Sequence, residues 1–393
     1  MTLPASAFPL AVAGSEITRA DNGQPVRLAG VNWGGAYQDS KVPSGLRERP
    51  RDEIYDWIAS KRFNHVRFPF ALGSFVTSAG NPVTAPADPA RLAANPDLQG
   101  LSPWDIYQVM TDEMTAGRAA KGKDPIYVVL NCHLLYPGWC CSDNDVNGLW
   151  YNDNWPSSVF TNTWITVAER FADNPLVGFD LKNEPRPASV GGAVRTPSWG
   201  TGGNGSFPTD FRQMYQNTTG RIRSAVTAAG SGITHLVFCE GLSYAGDLTG
   251  WKANPVTGAN IVASAHDYPW FHRHADKSPQ TWAEYSAQNE AKFGYLETQG
   301  IAPVLIGECG QNTDMSRQDF ASGWFPNFLR WAQEHDSHWC WWTLNATEQK
   351  GTEPGTNIVR TEDGQSEGFG LLHAQDWRGE QSDALAALAA IMP

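Results

Sequence analysis

The sequence predicts an α/β fold, a single-domain (β/α)8 TIM barrel with long loops on its C-terminal face. Three observations carry that prediction. From Leu28 onward, eight short apolar runs follow one another in a strand-then-helix rhythm, which argues for parallel strands joined by helices. Polar or aromatic residues stand at the C-terminal end of nearly every run, the end where such a barrel carries its chemistry. No GxGxxG follows any run, which weighs against an open dinucleotide-binding sheet.

The elements can be justified in chain order. Residues 15–27 read as a hairpin turning at Asp21-Asn22-Gly23, placed ahead of the barrel to cap its bottom. Strands are expected at 28–32, 65–70, 126–132, 177–183, 235–239, 261–265, 303–307 and 338–342. Helical patterns occupy 51–62, 102–120, 158–172, 209–229, 280–299 and 319–335, with an alanine-rich helix at about 380–391 ending the chain. Pro208-Thr209-Asp210 opens one helix and Gly230 closes it, and Ser102-Pro103 opens another. The long excursions 71–101, 133–157, 185–207 and 343–378 each follow a strand's C-terminal end, so all crowd one face. No linker is visible, and 1–393 is read as one catalytic domain.

Composition narrows the function. A net charge of -12 repels polyanions and excludes nucleic acid as a natural partner. No run approaches the roughly 20 apolar residues of a membrane helix. Met1 to Gly14 lacks the basic start of a signal peptide. There are 17 tryptophans, about half of which are assigned to packing and the rest to flat surfaces that stack on sugars. Cys140 and Cys141 lie in a polar loop that favours bridging, which fits a secreted or extracytoplasmic location. Cys132, Cys239, Cys309 and Cys340 sit in apolar runs and read as buried thiols. Asn204, Asn217 and Asn345 begin glycosylation-type triplets.

The chemistry stands at the strand ends. The fourth run, Val177-Gly178-Phe179-Asp180-Leu181-Lys182, hands out Asn183 and Glu184; the seventh hands out Glu308. Two glutamates at the mouths of two core strands are what glycoside hydrolysis requires. The alternative is a barrel-mouth ion pair with Arg67 or Lys182. Arg67, in an apolar strand, needs an anionic partner or a solvated cleft. The other ends give His133, Glu240, His266-Asp267-Tyr268 and Trp341-Trp342. Asp180 and Lys182 alternate with apolar residues and read as an internal salt bridge, and Trp341 as facing the helices. His266, His272 and His274 with Asp267 offer a metal alternative, but their spacing matches no zinc motif.

In this ordered set the chain resembles glycoside hydrolase family 5, the cellulase and mannanase family of (β/α)8 retaining enzymes. Arg67, His133, Asn183-Glu184-Pro185, His266-x-Tyr268, Glu308 and Trp342 in Trp-Thr-Leu-Asn carry the resemblance, which spans about 28–342. Asn-Pro-Asp-Leu-Gln-Gly-Leu at 95–101 and Gly-Leu-Trp-Tyr at 148–151 also look like segments of bacterial endoglucanases. The resemblance implies Glu184 as acid/base and Glu308 as nucleophile. It also implies that Arg67 and Tyr268 steady Glu308 and that Asn183 bonds the sugar 2-OH. His133 and His266 would line the subsite, with Trp342 as its floor. The expected enzyme is a monomer that needs no metal or organic cofactor and cleaves an oligo- or polysaccharide, first of all a β-1,4-glucan. An exo-acting β-glycosidase, a mannanase and a silent carbohydrate-binding barrel remain as alternatives.

Overall fold

The computed structural model describes residues 8–138, 140–141, 146–202, 208–276, 278–313, 323–344, 359–360, 366–373 and 376–393. Eight parallel strands close into a barrel: β1 (Ala29–Asn32), β2 (His65–Ala71), β3 (Tyr127–Leu134), β4 (Val177–Asp180), β5 (Val237–Glu240), β6 (Ile261–Asp267), β7 (Val304–Cys309) and β8 (His338–Trp341). Each strand pairs with its neighbours in sequence, and β8 returns to β1. All eight are buried along their length, the pattern of strands covered on both faces.

The outer layer departs from the strict rhythm. Helices α1 (Arg51–Ser60), α2 (Pro103–Asp112), α3 (Ser157–Arg170) and α4 (Phe211–Ala228) follow the first four strands. The fifth connection has no α-helix, only the 3-10 turn Thr249–Lys252. Residues 241–260 hold four glycines and a proline and lack an apolar stripe that a helix could bury. Helices α5 (Trp282–Asn289), α6 (Trp324–Glu334) and α7 (Ser382–Leu388) complete the layer. The patterns read as continuous at 102–120 and 280–299 each pass through a π turn, at Glu113–Gly117 and Glu290–Gly294. The start of the 319–335 pattern falls partly outside the described residues, as do Asn204 and Asn345.

The N-terminal hairpin begins earlier than expected. Leu10–Ala13 pairs with Glu16–Arg19, and the turn at 21–23 adds only a bridge from Thr18 to Pro25. Leu10 and Ile17 pack against Leu28, Tyr127, Val129, Phe238, Val262 and Leu305 inside the lower barrel. The hairpin thus plugs the end opposite the strands' C-terminal face. Packing also claims far more of the tryptophans than half. Nearly all the described ones are buried, and Trp270 is the exposed exception.

Candidate active site

The site is built around one arginine. Arg67 stands fully buried in β2, and its guanidinium uses all five N–H donors on side chains from four other strands or their ends. Nε donates to Asp180 at 2.7 Å. Nη1 donates to Asn32 at 2.9 Å and to Glu308 at 2.6 Å. Nη2 donates to Asn183 at 2.7 Å and to Glu240 at 2.8 Å. Burial opposes the guanidinium charge, but Asp180, Glu308 and Glu240 hold its pKa well above the ordinary value. A lone buried charge would be untenable; this one is bonded at every donor.

Glu308 projects from β7 because the register slips there. Ala265 of β6 faces Ile306, but the next residue, His266, faces Glu308. The slip passes over Gly307, where a Cβ would come within 2.7 Å of Ser264 Oγ. A bulge of this kind re-aims a side chain at a barrel rim. Oε1 of Glu308 takes the Arg67 bond, and Oε2 accepts from the Tyr268 hydroxyl at 2.8 Å. Burial raises the Glu308 pKa above its ordinary value and Glu184 adds to the rise, while His266, Arg67 and Tyr268 work against it.

Glu184 lies four residues beyond the last residue of β4, so the expected strand at 177–183 overshoots. The chain stays tied to both neighbours through Leu181 N to Phe238 O and Asn183 N to Cys132 O. Glu184 itself has a φ of 45°, a left-handed conformation that costs a non-glycine residue about 1–3 kcal/mol. Two bonds hold it there. Its N–H donates to Glu240 Oε2 at 2.6 Å, and its carbonyl accepts from Arg186 Nη1 at 2.9 Å. Glu240 is therefore a positioning residue, joining Arg67 to the Glu184 backbone. Burial, followed by the Asp180 charge, raises its pKa well above the carboxylate range.

His266 ties the two glutamates together. Its Nδ1 lies 3.0 Å from Glu184 Oε1 and 3.5 Å from Glu308 Oε2. Burial lowers its pKa to about 4, so the ring is neutral. One oxygen of each glutamate and one His266 nitrogen all lie within 4.8 Å of one another. His133 bonds Asn131 Oδ1 through Nδ1 at 2.9 Å. Burial, reinforced by Arg67 and Lys182, keeps this imidazole neutral as well. Trp342 lies parallel to it at 5.4 Å, and Tyr37 packs against both rings. Every site residue named from the sequence thus gathers at this mouth of the barrel.

One expectation fails locally. Asp180 pairs with Arg67 rather than with Lys182, whose Nζ donates to the backbone carbonyls of Asn183 and His133. The reason is that the guanidinium offers Asp180 a charged partner in the barrel interior. The histidines of the metal alternative diverge: His266 goes to Glu184, His272 to Asp267 and His274 to Glu284. Among the described residues a second set with metal-ligating atoms is His133 with Cys140 and Cys141, and those two cysteines are disulfide-bonded to each other. The other four cysteines are buried free thiols, as expected. Trp341 faces the helical layer, packing edge-on against Phe325. Sequence reasoning missed Asn32, Tyr37, Asn131 and Arg186. Asn32 ends β1 as Glu308 does β7's apolar run, so the same strand-end rule would have found it.

A family model described as cellulase, glycosyl hydrolase family 5, matches residues 20–348. The chain belongs to this family. It is therefore a glycoside hydrolase, and its closed barrel is the family's. An endoglucanase of Paenibacillus polymyxa is 29% identical over 344 residues, covering 83% of this chain and 77% of the relative. The major extracellular endoglucanase of Xanthomonas campestris pv. campestris is 27% identical over 322 residues, covering 77% of this chain and 58% of that protein. A hyperthermostable endocellulase of known structure is 25% identical with a TM-score of 0.73, each chain covered in full.

Proposed function

We propose that the protein is an endo-acting β-1,4-glucanase that works by double displacement with retention of configuration. Glu308 is the nucleophile and Glu184 the acid/base. The observation that carries this reading is the separation of the two carboxylates, with one oxygen of each within 4.8 Å. Retaining enzymes hold their carboxyl groups about 5–5.5 Å apart, whereas inversion needs about 6.5–9.5 Å to seat a water between carboxylate and sugar.

The two glutamates also differ in their surroundings as the roles demand. Glu308 accepts bonds from Arg67 and Tyr268, both of which favour the ionised form that attacks the anomeric carbon. Glu184 meets the neutral His266 imidazole at 3.0 Å and delivers its proton to the departing glycosidic oxygen. Ester formation at Glu308 consumes the nucleophile's charge. The repulsion between the carboxylates then vanishes, and ionised Glu184 takes a proton from the water that attacks the glycosyl-enzyme. Asn183 contacts the sugar 2-OH, and Trp342 with His133 forms the floor. The endoglucanase names of the relatives support the substrate and the endo mode, and the extracellular Xanthomonas protein supports secretion.

The test is stereochemical. Proton NMR of the wild-type reaction should show the β-anomer first. Glu184→Ala should still react with substrates bearing good leaving groups, stall at the glycosyl-enzyme, and release a β-glycosyl azide when azide is added. Glu308→Ala should form no such intermediate. An initial α-anomer from the wild type would sink the mechanism, and β-azide from the Glu308 variant would reverse the roles.

A further inference from the structure

We infer that the Cys140–Cys141 disulfide is a positioning element for Asn183, holding its amide ready for the 2-hydroxyl of the reacting sugar. The inference rests on the glucanase reading above and deepens the part that Asn183 plays in it. A disulfide ordinarily stabilises a fold by closing a long loop and so restricting the unfolded chain. This one joins residues one position apart and closes no loop. Stapling therefore gives no reason for it, and its surroundings supply another.

Asn183 is fully buried just beyond β4. Its Oδ1 accepts from Arg67 Nη2 at 2.7 Å, which leaves Nδ2 as the side-chain atom that can serve a sugar hydroxyl. Among the described residues that Nδ2 meets only the two sulfurs, Cys140 Sγ at 3.8 Å and Cys141 Sγ at 3.7 Å. Both sulfurs lie within 4.8 Å of a His133 ring nitrogen, and Cys140 packs against the cluster of Tyr37, Tyr268 and Trp342. The pair thus borders the floor proposed for the reacting sugar. Sulfur is a weak acceptor. Two linked sulfurs keep water off the amide without binding its protons firmly, and the bond between them stops either from swinging away. An oxygen in their place would compete with the 2-hydroxyl for the same donor. The rival role is to stiffen the disulfide's own loop, which makes no distinction between sugars with and without a 2-hydroxyl.

The experiment compares kcat/KM for an aryl β-cellobioside with that for the same compound lacking the 2-hydroxyl on the glucose that bears the aryl group. Wild type, Cys140→Ser/Cys141→Ser and Asn183→Ala are measured, and wild type again after reduction by a phosphine. The phosphine is oxidised to its oxide with the oxygen of a water, and the disulfide becomes two thiols with that water's two protons. The other four cysteines are buried free thiols, so this bond is the reductant's one target. The preference for the 2-hydroxyl should fall about tenfold in the serine pair, the weight of one hydrogen bond, and by a similar factor in the reduced enzyme. A preference within about twofold of wild type in either sample overturns the inference. Should the serine pair fail to fold, the reduced wild type decides by the same limit. Asn183→Ala with the wild-type preference overturns the 2-hydroxyl contact itself, and the inference falls with it. Wild-type protein inert on the aryl β-cellobioside overturns the glucanase reading, which separates the failures.

Discussion

At the scale of single residues, the site is an exercise in charge placement. Three carboxylates share one guanidinium, and the Glu308 pKa reflects a balance between burial and its partners. Arg67 lowers that pKa, so removing it must raise it further. In Arg67→Met the acidic limb of kcat/KM should move to higher pH by about 1–3 units, because Glu308, as the proposed nucleophile, acts only when ionised. A pH–rate profile unchanged in an active variant would refute the pairing. These residues were legible in the sequence because a charged or amide side chain interrupts an apolar strand only at a cost. Asp180 shows the limit of that logic. A buried aspartate demands a partner, but i and i+2 proximity pointed to Lys182 when the partner lay two strands away. Tyr37 and Arg186 sit in loops, where no period marks depth, and so were not found.

At the scale of elements, punctuation was more legible than extent. Asp210 was read as a helix opener, and it caps α4 by accepting from Gln213 N at 3.1 Å. The same carboxylate accepts from Gly200 N at 2.9 Å and Gly202 N at 2.8 Å, which sequence alone could not show. Asp210→Ala strands three backbone donors at once. It should cost about 2–3 kcal/mol in urea unfolding, above the typical loss for a helix cap. A loss below about 0.5 kcal/mol would mean that water satisfies all three. The absent fifth helix has a different cause. The sequence shows no helical pattern over 241–260, where four glycines leave no apolar stripe for a helix to bury. Trp251 is buried there and stacks near Trp199, so aromatic packing fills part of the place of a helix.

At the scale of the whole molecule, the barrel separates function from stability by end. The lower end holds Glu297, whose carboxylate accepts from Val304 N at 3.1 Å. Burial raises its pKa to about 8, with Glu16 and Glu290 adding to the rise. The sign follows from proton linkage. The folded protein keeps this proton between the unfolded value of 4.5 and about 8, so folding loses stability as pH rises through that window. Glu297→Gln preserves the acceptor and removes the titration. It should leave stability unchanged at pH 4, raise it increasingly above about pH 5, and reach its full effect near pH 8 and beyond. Thermal melts of the two proteins across that range decide the matter, and parallel curves would contradict it.

The five-fold bonding of Arg67 has a consequence for how the chain reaches its working form. Its partners come from the first, fourth, fifth and seventh strands or their ends, segments separated by up to 241 positions along the chain. A strand shifted by one residue would point its partner away from the barrel axis and leave a guanidinium proton unmatched in a dry interior. The arginine thus proofreads closure: a ring assembled out of step is penalised by the same group that holds Glu308. Completing the barrel and seating the proposed nucleophile are one event.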